Sequence, residues 1–181
     1  MKKTIFAFLI SSVTLTVTAQ KKVSTSATIA FDASTAIDNL PKAENKTVIA
    51  AIDPSKNTIQ FEATIKNFAF SNPRIQDHFN QKGWMNSDEF PKATFNGVIK
   101  NPSAVNFKKD GTYNVSVEGD LTIKGKTQKI TAPATIVVTG STLKTNAEFI
   151  IKLADFDIEG GSITSGKVSK EPKITVSAEL N

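Results

Sequence analysis

An all-β fold, an eight-stranded antiparallel barrel closed by a short helical lid segment, is what this sequence predicts, and three observations carry the prediction. Apolar residues alternate with polar ones at a period of two over most of the chain from Val23 to Leu180. Turn-forming residues punctuate that alternation at short intervals, as sequentially joined strands require. One stretch, Phe68 to Phe95, departs from the pattern and carries helix-start signals and a concentration of aromatic side chains.

The first 19 residues read as a secretory signal peptide. Lys2 and Lys3 form a basic start, Ile5 to Val17 an apolar segment, and Val17-Thr18-Ala19 a small-residue cleavage site, so the mature chain is expected to begin at Gln20. The apolar segment is short and interrupted by Ser11, Ser12, Thr14 and Thr16, which argues against stable membrane insertion. The expected product, residues 20–181, is a single exported domain, periplasmic or secreted, large enough to bury a core without covalent help. The chain has no cysteine, which excludes disulfides, thiol catalysis and cysteine-based metal sites. Its formal charge of +5 drops to about +3 without Lys2 and Lys3, and the remaining lysines are dispersed at strand positions. Nucleic-acid binding would need a basic stripe among exposed aromatics; a solvated outer face accounts for this pattern.

The first strand places Val23, Thr25, Ala27, Ile29 and Phe31 on one face. Asp32 to Lys46 reads as a polar loop broken by Asn39, Pro41 and Asn45 and anchored by Ile37 and Leu40. Thr47 to Ile52 makes the second strand. After the turn residues Asp53 to Asn57, the third alternates Ile59, Phe61, Ala63 and Ile65 against Gln60, Glu62, Thr64 and Lys66. Phe68 and Phe70 then fall out of phase, and a bulge near Asn67 would restore both sets to the inside.

Asn72 before Pro73 is a capping side chain followed by proline at the first helical position, so a short helix starts there. Ile75 and Phe79 share one face of it. Asn86 and Glu89 are spaced as in a capping box and predict a second single-turn helix ending at Phe90-Pro91. Aromatics this dense outside strands either plug a barrel end or form the mouth of a pocket, and the sequence does not choose between them.

Beyond the lid, Ala93, Phe95, Gly97 and Ile99 form a strand, and Asp110-Gly111 marks a tight hairpin. Tyr113 to Ile123 alternates without a slip, Lys124-Gly125-Lys126-Thr127 turns, and Ile130 to Val138 follows. Pro133 within that strand points to a bulge or an edge. Leu143 to Leu153 is next, extended by Phe156 and Ile158 with shifted phase, and Ile174 to Leu180 closes the set after the glycines 160, 161 and 166.

An eight-stranded barrel is either just filled by side chains or just wide enough for one small ligand. The inward positions here include Ala27, Ala63, Ala93, Gly97, Gly119, Ala132, Ala134, Ala147 and Ala178. Such small residues either leave an apolar channel for an apolar chain or simply let strands bend at barrel corners.

Two segments carry a family resemblance. Gln76-Asp77-His78-Phe79-Asn80 and Asn86-Ser87-Asp88-Glu89-Phe90-Pro91-Lys92-Ala93-Thr94-Phe95 are similar to a helix end of D/E-H-F/L, an S-D-x-x-P turn and a T-F strand. Gly119-Asp120-Leu121-Thr122-Ile123-Lys124-Gly125 with Thr127 is similar to G-x-L-T-I-x-G-x-T. Together with Ala43-Glu44-Asn45 and Ile52-Asp53, these resemble the YceI-like family of exported, lipocalin-like proteins associated with polyisoprenoid binding. The resemblance implies an elongated barrel whose tunnel takes an isoprenoid chain with its head near the mouth. At Lys124 similar sequences often carry histidine or asparagine; the lysine either favours a phosphate head or only makes the turn.

The residues expected to touch such a ligand are Phe61, Ile65, Phe68, Phe70, Ile75, Phe79, Trp84, Phe95, Tyr113, Val117, Leu121 and Phe149, with Arg74 and Lys124 as head-group candidates. The expected partner is an isoprenoid or other apolar-chain lipid, and a homodimer is compatible with the sequence. His78, the one histidine, is too little for the usual zinc sets and is expected to tie lid to barrel by a hydrogen bond; no metal or cofactor is expected. No nucleophile–base–acid set or phosphate-cradling glycine motif is recognisable, so the chain is not expected to be an enzyme. A solid barrel acting as an interaction module for a protein partner is the alternative.

Overall fold

The computed structural model describes residues 20–181, and the expected signal segment lies outside them. Eight long strands close an antiparallel barrel: β1 (Lys22–Asp32), β2 (Lys42–Asp53), β3 (Thr58–Thr64), β5 (Lys92–Ile99), β6 (Gly111–Ile123), β7 (Lys126–Thr139), β8 (Thr142–Ile150) and β9 (Lys173–Leu180). A two-residue strand β4 (Ala69–Phe70) attaches to the start of β2, and two short helices, α1 (Pro73–Asn80) and α2 (Gly161–Thr164), lie outside the wall. Each long strand pairs with its sequence neighbour, and β1 joins both β2 and β9, which leaves no free edge around most of the circumference.

Hairpin register places the lid, the β1–β2 loop and residues 151–170 at one end of the barrel, hereafter the lid end. The turns at 54–57 and 140–141 and the 100–110 connection mark the far end. The β6–β7 hairpin is the longest ladder, running from Gly111↔Val138 to Ile123↔Lys126. Its turn consists of Lys124 and Gly125, both at positive φ (49° and 72°), as a two-residue primed turn requires.

Several sequence expectations are corrected. Strand β2 starts at Lys42, inside the expected loop, because Asn45 is buried and fully engaged. Its Nδ2 donates to the Thr64 carbonyl at 2.9 Å, and its Oδ1 accepts from the Thr47 N–H and hydroxyl. Ile37 and Leu40 do not anchor the preceding loop; they are 71% and 49% exposed. In β1 the register shifts between Ser24 and Ala27, so Ser24 turns inward and Val23 outward.

The phase change before the lid is achieved by a 3-10 turn at Ile65–Asn67 rather than a bulge, and Ile65 and Phe68 are both buried. Asp110-Gly111 is not a tight hairpin: an eleven-residue connection with its own 3-10 turn, Pro102–Ala104, joins β5 to β6, and the Asp110 carboxylate accepts from the Gly140 N–H. Phe156 and Ile158 do not extend β8; Leu153–Phe156 is a 3-10 turn.

Pro133 is explained by the ladders. Strand β8 pairs with β7 only from Ala134 to Thr139, so Pro133 is the first residue of β7 without a β8 partner. From Lys126 to Pro133 the wall beside β7 is completed by the non-strand segment 151–158. Gln128 Nε2 donates to the Asp155 carbonyl (2.9 Å), Lys124 Nζ to the Asp157 carbonyl (2.8 Å), and Lys126 pairs with the Asp157 carboxylate (2.8 Å).

Candidate functional site

The lid is built as the sequence predicts at its start. Asn72 accepts from the Arg74 N–H through its side chain, Pro73 occupies the first helical position, and α1 runs to Asn80. Its second part differs: residues 86–90 form a turn. Asn86 has φ +47°, incompatible with the extended conformation of an N-cap, and its side-chain N–H donates to Glu89. Backbone bonds from Met85 N to Phe79 O and Ser87 N to Asn80 O fold the second part of the lid back onto the end of α1, and Ile65 N donates to Pro91 O where the lid leaves and rejoins the barrel.

Phe79, on the inner face of α1, is the hub of the lid. Its ring centroid lies 4.9 Å from Phe70, 5.9 Å from Phe68 and 6.1 Å from Phe31, all tilted, within the range where aromatic pairs are favourable. His78 on the outer side is exposed and sits 6.4 Å from Trp84, ring to ring. It makes an aromatic contact where a lid-to-barrel hydrogen bond was expected.

Two spaces meet at this hub. The first, about 140 Å³, lies inside the lid-end half of the barrel. It is walled by Ile29 and Phe31 of β1, Ile59, Phe61 and Ala63 of β3, and Ala93, Thr94 and Phe95 of β5. Val117, Leu121 and Ile123 of β6, Ile130, Ala132 and Ala134 of β7, Thr145, Ala147 and Phe149 of β8, and Ile174 and Val176 of β9 complete the strands' share. Ile65, Phe68, Phe79, Trp84 and Met85 roof it, and Ile151, Leu153 and Ile158 fill the seam beside β7. The polar residues among these are Thr94, Thr145 and Trp84; none is charged. The second space, about 250 Å³, is a vestibule outside the hub, lined by Arg74, His78, Lys167 and Asp38 together with Pro41, Phe70, Ile75, Ser162 and Val168. Phe31, Phe79 and Trp84 line both and form the partition between them.

The far half of the barrel is filled. Ile52, Val138, Ile136, Leu143 and Leu180 are at most 3% exposed and border neither space. The small residues therefore divide by position. Ala63, Ala93, Ala132, Ala134 and Ala147 line the cavity, whereas Gly97 and Gly119 accommodate the ring of Phe95. A Cβ on Gly97 would stand 2.5 Å from the tip of that ring.

Of the residues expected to touch a ligand, Phe61, Ile65, Phe68, Phe79, Trp84, Phe95, Val117, Leu121 and Phe149 line the cavity. Phe70, Ile75 and Arg74 line the vestibule instead, because the helix carries them outside the Phe79 partition. Tyr113 borders neither space: it lies at the far end, where its hydroxyl donates to the Lys109 carbonyl at 2.8 Å. Lys124 is at the lid end but borders neither space; it makes the hairpin turn and its Nζ donates to the Asp157 carbonyl. Sequence reading missed Lys167, which comes from a segment without periodicity, and took Ile151 to Ile158 as a continuation of β8 where the structure makes them the seam beside β7; the β8–β9 connection brings both to the lid end. Among the described residues no group of three or more potential metal-ligating side chains occurs, and no helix is long and apolar enough to cross a membrane.

The rim carries an ion pair that braces the β1–β2 loop. Asp32 accepts from the Ser34 N–H (3.0 Å) and hydroxyl (2.6 Å) and lies 3.3 Å from Lys42 Nζ. Burial alone would raise its pKa, but the two Ser34 bonds and the lysine outweigh it and hold the carboxyl below its ordinary value.

A family model described as YceI-like domain matches residues 11–180. Among solved structures, BcnA of Burkholderia cenocepacia is similar at 21% identity and a TM-score of 0.69, with 86% of this chain and 96% of that one covered. A polyisoprenoid binding domain from Saccharophagus degradans, described as implicated in plant cell wall breakdown, superposes with a TM-score of 0.74 at 12% identity, covering 89% and 97%. The YCEI protein of Campylobacter jejuni gives 0.52 at 17% identity, covering 99% and 98%. At these identities the likeness is one of fold. No curated protein matches the sequence.

Proposed function

The chain belongs to the YceI-like domain family, and from that premise we propose that it is an exported, non-enzymatic protein that sequesters or carries an apolar-chain lipid, an isoprenoid or similar amphiphile, in its barrel. The observation that carries the reading is the cavity beneath Phe79, walled by aliphatic and aromatic side chains with no charge among them. An empty apolar cavity stays dry, and transfer of a chain into it is favoured by about 0.8 kcal/mol per methylene before association costs. The Saccharophagus structure, named for polyisoprenoid binding, supports the ligand class by its shared fold.

The vestibule supplies the polar end of the site. Arg74, His78 and Lys167 face one carboxylate, Asp38, whose Oδ1 is already engaged by the Leu40 N–H. A ligand with its chain under Phe79 would present its head to this basic surface. The solid-barrel alternative accounts for the far half only.

Protein purified from its native host should release a lipid into an organic extract, detected by mass spectrometry. An empty extract, together with failure to bind any fluorescent apolar probe, overturns the reading. Amino-terminal sequencing of the exported form tests the processing step, with Gln20 as the expected first residue.

A further inference from the structure

We propose that the lid end is a membrane-docking tip: the β1–β2 loop sets Ile37 and Leu40 into the surface of an anionic bilayer, and the barrel exchanges its lipid there. This rests on the lipid-binding reading above and adds the place where the lipid is taken up and given back.

The loop holds two aliphatic side chains out in water. The Thr35 N–H donates to the Asp38 carbonyl (2.8 Å), and the Thr35 hydroxyl oxygen accepts from the N–H groups of Ile37 (3.3 Å) and Asp38 (3.2 Å). The Asp38 carboxylate accepts from the Leu40 N–H, and the Ala33 N–H donates to the Pro41 carbonyl (2.9 Å) across the base of the loop. Ala33 and Pro41 are buried, and the Ala33 carbonyl accepts from the Ser169 N–H (2.8 Å), which ties the base to the connection between β8 and β9. Above this base, Ile37 is 71% and Leu40 49% exposed. One exposed aliphatic is ordinary. Two on one short loop, whose shape is fixed by its own hydrogen bonds, make a projecting apolar tip.

Position and neighbouring charge choose the partner. Asp38 and Pro41 of the same loop line the vestibule, so the tip stands on the rim of the way into the cavity. A Cβ on Gly166 would lie 3.7 Å from Ile37 Cδ1, which puts Ile37 beside the segment that carries Lys167. Lys167 and Arg74 are exposed on this rim and enter no ion pair among the described residues. Free cations beside projecting aliphatics match an anionic lipid surface, which takes the apolar groups below its headgroups and the charges among them. Fluid lipid also conforms to a protruding tip without a matching pocket. A long apolar chain is driven out of water, so its transfer is easiest where the barrel mouth meets the bilayer directly. Two aliphatics and two cations give reversible adhesion, far short of insertion, as a carrier that must leave again requires.

The test is flotation of the full mature chain with vesicles of phosphatidylcholine and phosphatidylglycerol, against vesicles of phosphatidylcholine alone. The chain should float with the anionic vesicles and several-fold less with the neutral ones, and added salt should weaken the binding. In the double variant Ile37→Ser, Leu40→Ser, vesicle affinity should fall about tenfold. Its affinity for a fluorescent apolar probe in solution should be unchanged, because neither residue borders cavity or vestibule. Since the chain has no cysteine, an environment-sensitive dye on Asn39→Cys reports the tip and one on Ser141→Cys the far end. Only the first should shift to the blue on vesicles. Probe transfer from loaded protein should quicken in proportion to vesicle concentration. No binding to anionic vesicles overturns docking, leaves lipid binding intact and gives the tip to a protein partner. Equal binding by parent and double variant, or a blue shift at Ser141→Cys, overturns the assignment of the tip. A transfer rate independent of vesicle concentration overturns exchange at the bilayer. Vesicle binding by a chain that takes up no probe and yields no lipid overturns the lipid-binding reading, and exchange with it, and leaves adhesion alone.

Discussion

Gly97 stands directly opposite Gly119 in the β5–β6 ladder, and the phenyl ring of Phe95 leans across both. A Cβ on Gly119 would lie 2.4 Å from the Asn96 carbonyl and 2.5 Å from Gly97 Cα, so an added methyl collides with backbone. On Gly97 the nearest atoms belong to the mobile end of Phe95, with the Glu118 carbonyl next at 2.8 Å. We expect Gly119→Ala to cost about 2 kcal/mol and Gly97→Ala less, as overpacking in a close-fitted wall does. Urea denaturation of the two variants measures the order.

Phe79 is buried and touches three other rings, so Phe79→Ala should destabilise the protein by about 3 kcal/mol. It also removes the partition between cavity and vestibule. Probe release followed by stopped flow should therefore quicken even where the variant is saturated. A destabilised variant with unchanged release would show that Phe79 packs but does not gate.

Arg74 and Lys167 line the vestibule with exposed head groups. The double variant Arg74→Glu, Lys167→Glu should weaken decanoate binding by about tenfold and leave decanol within about twofold, since charge-assisted contacts serve the anion alone. The difference should shrink as salt is added, because exposed charges are screened over about 8 Å at physiological ionic strength. Equal losses for acid and alcohol would contradict an electrostatic role.

Asp32 provides a pH dependence whose sign follows from its lowered pKa. The unfolded carboxyl binds a proton at higher pH than the folded one, so its contribution to stability is fully present above about pH 5. That contribution is lost as pH falls through the unfolded value near 3.9 and then the lower folded value. Asp32→Asn should thus be less stable than the parent at pH 7, with the gap closing below about pH 3. Denaturation curves at several pH values decide it; a constant gap would assign the effect to packing.

The alternating strands were legible because one face of each is buried, and β6 matches its periodicity from Tyr113 to Ile123. The first half of the lid was legible because capping chemistry is local: Asn72 and Pro73 need no tertiary partner. What the sequence hid depends on partners far along the chain. Asn45 looks like a breaker until Thr64, nineteen residues away, accepts its N–H. Phe156 and Ile158 alternate suitably for a strand, yet their segment makes a 3-10 turn and closes the seam beside β7. Parity shows that Val117 and Tyr113 both face inward, but not that one borders open space and the other lies beyond the filled end. That distinction is set by which neighbouring residues are large, Ile52, Ile136 and Leu180 among them.

The pairing of β1 with β9 has a kinetic consequence. Asp32 meets Lys173 and Thr28 meets Ser177, contacts separated by most of the chain, whereas the β6–β7 hairpin needs only a two-residue turn. Loop-closure entropy makes the hairpin the early, local event and the joining of first and last strands the late one. Until residues 173–180 arrive, β1 has an unpaired edge, and deleting them would leave an open sheet prone to self-association.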